Sequence, residues 1–181
     1  MEKYVVLLRG INVGKNHHLA MQDLKNVLEQ LGYSQVKTYI RSGNAVMTGP
    51  IEDTTILAER IQQKLSQFAG FLIPIILYTE AEFLTMVTEN PLTKRELAAN
   101  EQWLVAYQQQ IISANNQLSK EMNEEIGFPF KKAVFIKIIG SQTDSPLLKE
   151  YQKVFKGGNW TVRNWNTTLK LVQFIQEIKI K

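Results

Sequence analysis

Residues 4–9 form a short run of apolar and β-branched side chains, broken by Gly10-Ile11-Asn12-Val13-Gly14. Met21, Leu24, Val27, Leu28 and Leu31 then recur at helical spacing, and Gly32 supplies a stop. Residues 36–41 and 45–48 read as two strands joined through Ser42-Gly43-Asn44. Asp53 or Thr54 can cap the next helix, whose predicted buried stripe is Leu57, Ile61, Leu65 and Phe68. Residues 71–78 complete the series as a strand, and Pro74 within it is tolerated at a sheet edge. The order β-α-β-β-α-β is that of the ferredoxin-like unit.

Thr79-Glu80-Ala81-Glu82 is a capping box opening a linking helix that ends at Asn90-Pro91, and a polar connector follows to residue 101. From there the pattern restarts. Residues 102–109 read as a strand, and Ile112, Leu118 and Met122 give a helical stripe within 113–123. Residues 126–130 and 133–139 read as a strand pair. Leu147, Leu148, Tyr151 and Val154 suggest a helix, and residues 160–163 a closing strand. A last helix is predicted from about Thr167, with Leu171, Phe174, Ile175 and Ile178 inward. The expected fold class is α+β: duplicated ferredoxin-like halves at 1–78 and 102–181, a linking helix and connector at 79–101, and an extra C-terminal helix.

Composition narrows the function classes. The 181 residues are 44% apolar, enough for a substantial core, and the absence of cysteine excludes disulfides, thiolate metal sites and a cysteine nucleophile. Apolar runs are too short for a signal segment or a membrane span, so a cytoplasmic location is expected. The net charge of +4 is uneven: residues 1–50 carry +3, residues 51–128 carry −6 and residues 129–181 carry +7. Two basic segments flanking an acidic one suggest a surface for an anionic partner.

Three stretches carry a resemblance. Leu8-Arg9-Gly10-Ile11-Asn12-Val13-Gly14, Thr38-Tyr39-Ile40-Arg41-Ser42-Gly43-Asn44 and Thr161-Val162-Arg163-Asn164-Trp165-Asn166-Thr167 with Lys170-Leu171 resemble, in that order, the bacterial family known as domain of unknown function 1697. The resemblance implies a two-part α+β fold and no established activity. Lys15 stands where the family usually has a second glycine, and Gly140-Ser141-Gln142-Thr143-Asp144-Ser145-Pro146 lacks the basic pair that often precedes the family's closing strand.

Each motif has a candidate chemistry. Arg9, Gly10, Asn12, Gly14 and Lys15 lie between a strand and a helix, where backbone N–H groups can cradle a phosphate. The spacing is one residue short of a P-loop, and Asn16 stands where a P-loop has Ser or Thr. Arg41, Ser42 and Asn44 sit at a hairpin tip, and Arg41 offers a planar fork for phosphate or carboxylate. Arg163, Asn164, Trp165, Asn166 and Lys170 place stacking surfaces beside positive charge, while Asn166 can equally act as an N-cap. His17 and His18, adjacent on a loop, make a poor metal site, and none is expected. In the second half Trp103 and Tyr107 share a strand face, as do Phe135 and Lys137; core packing accounts for such aromatics more often than RNA stacking does.

The leading expectation is a binding module for an anionic ligand, a phosphorylated small molecule or nucleic acid, in a basic cleft between the halves. The alternatives are an enzyme acting on a small anionic substrate, with His17 or His18 as proton carrier, and a protein–protein interaction domain. The sequence identifies no cofactor, metal, membrane partner or oligomeric state.

Overall fold

The computed structural model of the chain describes residues 1–90, 96–110 and 120–180. It divides into two compact units, Met1–Leu84 with Leu169–Lys181, and Thr85–Thr168. The architecture is α+β, with two antiparallel sheets and, among the described residues, five α-helices.

The first unit contains β1 (Glu2–Leu8), α1 (Met21–Gln30), β2 (Ser34–Tyr39), β3 (Asn44–Gly49), α2 (Thr54–Ala69) and β4 (Ile75–Thr79). Its sheet has the order β2-β3-β1-β4, with Val5 opposite Val46 on one side and Tyr78 on the other. Tyr4, Val6 and Leu8 project from one face into a core with Leu24, Val27 and Leu28 of α1 and Leu57, Ile61 and Leu65 of α2. Each such side chain taken out of water contributes about 1.5–3 kcal/mol. Asp53 is the α2 cap, accepting from the Thr55 and Ile56 N–H groups. Phe68, expected in the buried stripe, is 56% exposed. It lies in the last turn of α2, three residues beyond Leu65, where the stripe has left the core. β4 is an edge strand, but it begins at Ile75, so Pro74 lies just outside it.

α3 (Glu80–Thr88) begins with the reciprocal capping box: the Thr79 N–H donates to Glu82 at 3.0 Å, and the Glu82 N–H donates to Thr79 Oγ1 at 3.2 Å. The boundary between the units falls within this helix, between Leu84 and Thr85.

The second unit contains β5 (Glu101–Gln108), β6 (Lys120–Met122), β7 (Glu125–Phe130), β8 (Ala133–Ile139), α4 (Pro146–Val154) and β9 (Trp160–Asn164), and it ends in the first turn of α5 (Trp165–Glu177). Its sheet has the order β6-β7-β8-β5-β9. Lys120–Met122 corrects the expectation of a helix over 113–123: these residues pair antiparallel with β7 through a turn in which Asn123 and Glu124 both have positive φ. The rest of that predicted helix, residues 113–119, lies outside the described residues, as does Pro91. Leu104, Ala106, Val134 and Ile136 pack against Leu147, Leu148 and Tyr151 of α4. Val154, assigned to that stripe from sequence, is 40% exposed at the helix end. Gly127 on β7 lies under the Tyr151 ring, where an added Cβ would overlap the phenolic oxygen.

The C-terminal segment differs most from the sequence-based division. Residues 169–181, expected with the second half, group with the first unit. There Phe174 meets Tyr39 edge-on at 6.2 Å, and the Gln35 amide donates to the Lys179 carbonyl at 3.0 Å.

Candidate functional site

Two of the three sequence motifs come together at one end of the first sheet. The loop after β1 and the β2–β3 hairpin meet there because Leu7 pairs with Asn44 and the Leu8 N–H donates to the Gly43 carbonyl at 2.9 Å. A third segment joins them: the Arg9 N–H donates to the Pro74 carbonyl at 3.0 Å, and the His17 ring stacks on Phe71 at 4.5 Å.

Asn12 is the fastener of this end. Its Oδ1 accepts from the Leu19 N–H at 3.0 Å, and its Nδ2 donates to the carbonyls of Leu19 at 2.9 Å and Arg41 at 2.7 Å. The Asn12 N–H also donates to the His17 carbonyl at 2.8 Å, so the loop closes on itself and on the hairpin. Asn12 has φ of 55°, in the left-handed region that Asn tolerates better than most residues. Gly43 is required at the hairpin for a different reason. Its φ is 82°, and an added Cβ would lie 2.7 Å from both Leu8 Cβ and Ile11 Cδ1.

The other predicted residues divide between scaffold and surface. Asn44 is buried, and its amide donates to the Tyr39 carbonyl and to Ser42 Oγ, so Ser42 and Asn44 hold the hairpin. Gly10 and Gly14 turn the loop with φ of 72° and 65°. Arg9 is half-buried. Lys15 and Arg41 are exposed, and neither side chain has an ion-pair or hydrogen-bond partner among the described residues. His18 is exposed, with Nε2 at 3.1 Å from the Lys15 carbonyl. No acidic residue stands in either loop, 9–20 or 40–43. α1 follows directly, with Ala20 at its N-cap and no side chain capping it. The result is a compact, solvent-facing basic end.

The third motif lies in the second unit and behaves differently. Arg163 is 8% exposed and opposes Val105 in the sheet; its guanidinium donates to Thr161 Oγ1 at 2.6 Å and to the Val162 carbonyl at 2.9 Å. Burial pushes its pKa down to about 10, partly offset by Tyr107. Asn164, rather than Asn166, caps α5: its Oδ1 accepts from the Thr167 N–H at 2.9 Å and from the Thr167 hydroxyl at 2.8 Å. Asn166 is therefore left at the surface. Lys170, in the first unit, donates to Gln173 at 2.8 Å and lies 5.1 Å from the Phe174 ring centroid. Trp165 and Asn166 line a hollow of about 230 Å³ with Trp103 and Glu101. Tyr107 and Phe135 are buried, so they present no stacking platform to solvent.

Sequence reasoning missed Phe71 and Glu101 as neighbours of these sites. An aromatic residue at position 71 reads as the start of a strand, and Glu101 as the end of a connector; neither carries a local signal of its partner. Among the described residues no group of three His, Cys, Asp or Glu could hold a metal ion, and no helix is long and apolar enough to cross a membrane.

A model of the family described as "Protein of unknown function (DUF1697)" matches residues 1–135. The match takes in the first two motifs, and the third lies beyond it. No curated protein matches the chain. Among solved structures the chain is similar to "conserved bacterial protein SP0830 from Streptococcus pneumoniae", with a TM-score of 0.74 and 24% identity over 96% of this chain and 98% of that one. That likeness concerns the fold.

Proposed function

The chain belongs to the family described as protein of unknown function (DUF1697), and because that description assigns no chemistry we propose a function from the residues themselves: binding of a phosphorylated small molecule at the basic end of the first sheet. The observation that carries this reading is the pair of exposed cations, Lys15 and Arg41, on two loops fastened to one another by Asn12 and unopposed by any acid within those loops. With the backbone of both loops already ordered, a phosphate has only the two side chains left to fix. The uncapped start of α1 adds N–H groups nearby. Arg163 takes no part, since it is buried and its Nη1 donates within the second unit.

A small ligand fits better than a nucleic-acid backbone. Extended backbone binding uses about 6–10 phosphate contacts, and this end offers a few cations in a compact patch. We further propose that the two sheets are copies of one ferredoxin-like unit. The order β2-β3-β1-β4 recurs as β7-β8-β5-β9, with β6 added at the edge, which supports that reading.

The test is calorimetric titration with inorganic pyrophosphate, and with a short oligonucleotide for comparison, at low and moderate salt. Pyrophosphate binding is expected, weakened about ten-fold or more by Arg41→Ala and by Lys15→Ala, as loss of a charged hydrogen bond requires. Binding unchanged by both substitutions refutes the site. Tighter, steeply salt-dependent binding of the oligonucleotide replaces the small ligand by a strand.

A further inference from the structure

The hollow in the second unit is built unlike the basic end, and the geometry points to a separate site there for an uncharged purine base. Its walls include two half-buried indoles, Trp103 on β5 and Trp165 at the first position of α5. At about 230 Å³ it lies below the roughly 300–1,000 Å³ of pockets that take drug-sized ligands, so it suits a single fused ring system. Aromatic walls favour flat π-systems, on which a base can stack.

The polar groups around it are selective as well. Among the described residues Glu101 is the only ionisable one in the lining, and its charge is already answered: Oε1 accepts from Lys137 at 2.6 Å and Oε2 from the Ala98 N–H at 2.9 Å. No Lys or Arg among the described residues lines the hollow, so it suits a neutral ring rather than a phosphate. Asn166 is available because Asn164 has taken the capping role, and its carboxamide has no hydrogen-bond partner among the described residues. An Asn carboxamide presents a donor and an acceptor side by side, the pattern that reads the N6/N7 edge of adenine. Gln102 also lines the hollow, and one hydrogen of its Nε2 is donated to the Gly140 carbonyl at 2.6 Å, which ties that carboxamide to the sheet. The site therefore recognises adenine by stacking and by one carboxamide. The base can arrive as a free nucleoside or within a single strand.

Tryptophan emission reads the site directly. Of the three tryptophans, Trp160 is buried beside Phe155 and provides a constant background. Adenosine is expected to quench emission saturably, to a similar degree at low and moderate salt, and uridine to quench less. Asn166→Ala, an exposed helix position that tolerates alanine, should weaken adenosine binding about five-fold or more. Trp165→Ala should remove most of the quench while circular dichroism stays unchanged. Oligo(dA) serves as the second arm. Binding no tighter per base than adenosine identifies the nucleoside as the ligand, and much tighter, salt-steep binding identifies a strand; both support the site. No saturable quench by either probe, or a quench that survives both substitutions, overturns it. Adenosine carries no phosphate, so failure here leaves the pyrophosphate result at the basic end untouched, and the reverse holds.

Discussion

Replacing Asn12 tests whether the basic end is prebuilt. Its carboxamide makes three hydrogen bonds, two with Leu19 and one with the Arg41 carbonyl, and its backbone sits at φ of 55°. At about 1 kcal/mol net per bond, with the solvent-exposed Arg41 bond counted lightly, the lost bonds sum to about 2–3 kcal/mol. Alanine must also hold the left-handed conformation, for about 1 kcal/mol more; glycine need not. Asn12→Ala is thus expected to destabilise by about 3–4 kcal/mol, and Asn12→Gly by about 2–3. In a chain of this size each kcal/mol lowers Tm by about 2–4 °C, so the alanine variant should melt about 6–16 °C lower. Urea unfolding followed by circular dichroism, with pyrophosphate titrations on the same samples, measures both consequences. Affinity should fall in both variants, because Arg41 loses its anchor although its side chain is intact. A loss below about 1 kcal/mol in both refutes the fastener, and a glycine variant less stable than the alanine variant refutes the conformational part.

Further expectations concern the scaffold. Gly127→Ala sets a methyl group against the buried Tyr151 ring, and should cost about 1–3 kcal/mol in urea unfolding, as overpacking does. Arg163→Ala should lower the unfolding free energy by more than about 2 kcal/mol while leaving pyrophosphate affinity unchanged; Arg41→Ala should weaken pyrophosphate binding with little change in stability. Glu125 is buried and accepts from Ser145 Oγ, the Leu147 N–H and the Ile139 N–H, so Glu125→Leu should leave these donors unpaired and destabilise the second unit, measured by hydrogen exchange in α4. Arg60 and then Tyr33 hold the Glu52 carboxyl below its ordinary 4.5, and Lys137 lowers Glu101 in the same way. Depressed folded-state pKa values mean that this stabilisation is complete above about pH 4.5 and is lost as pH falls through the folded values. A urea midpoint flat from pH 7 to 5 and falling below 4.5 is expected, less steeply in Arg60→Gln.

The sequence carried the fold best where local chemistry decides it. Asp53 and the Thr79–Glu82 box are short-range devices, and both appear as their spacing predicts. β6 was illegible because Lys120-Glu121-Met122 has no apolar alternation; it pairs with β7 through a turn formed by Asn123 and Glu124. The sites were half legible. Residues of the first two motifs do meet in the first unit, but the carboxamides of Asn12 and Asn44, read as ligand groups, fasten the loops, through backbone groups up to 29 residues away and through Ser42 Oγ. Arg163 read as an available cation, but the strand alternation puts it opposite Val105, on a face that is buried. Asn164 and Asn166 exchanged roles because the helix starts two residues earlier than the apolar spacing suggested.

The return of residues 169–181 to the first unit bears on how the chain folds. Lys37 pairs with Glu177 across a sequence separation of 140, whereas Thr85–Thr168 is continuous. Closing so long a loop costs entropy that grows as about (3/2)RT ln n, and contacts of that separation slow folding. The second unit can therefore collapse on its own contacts while the edge of β2 still waits for its C-terminal cover. Completion of the first unit, whose β1 is made first, thus requires residues 169–181.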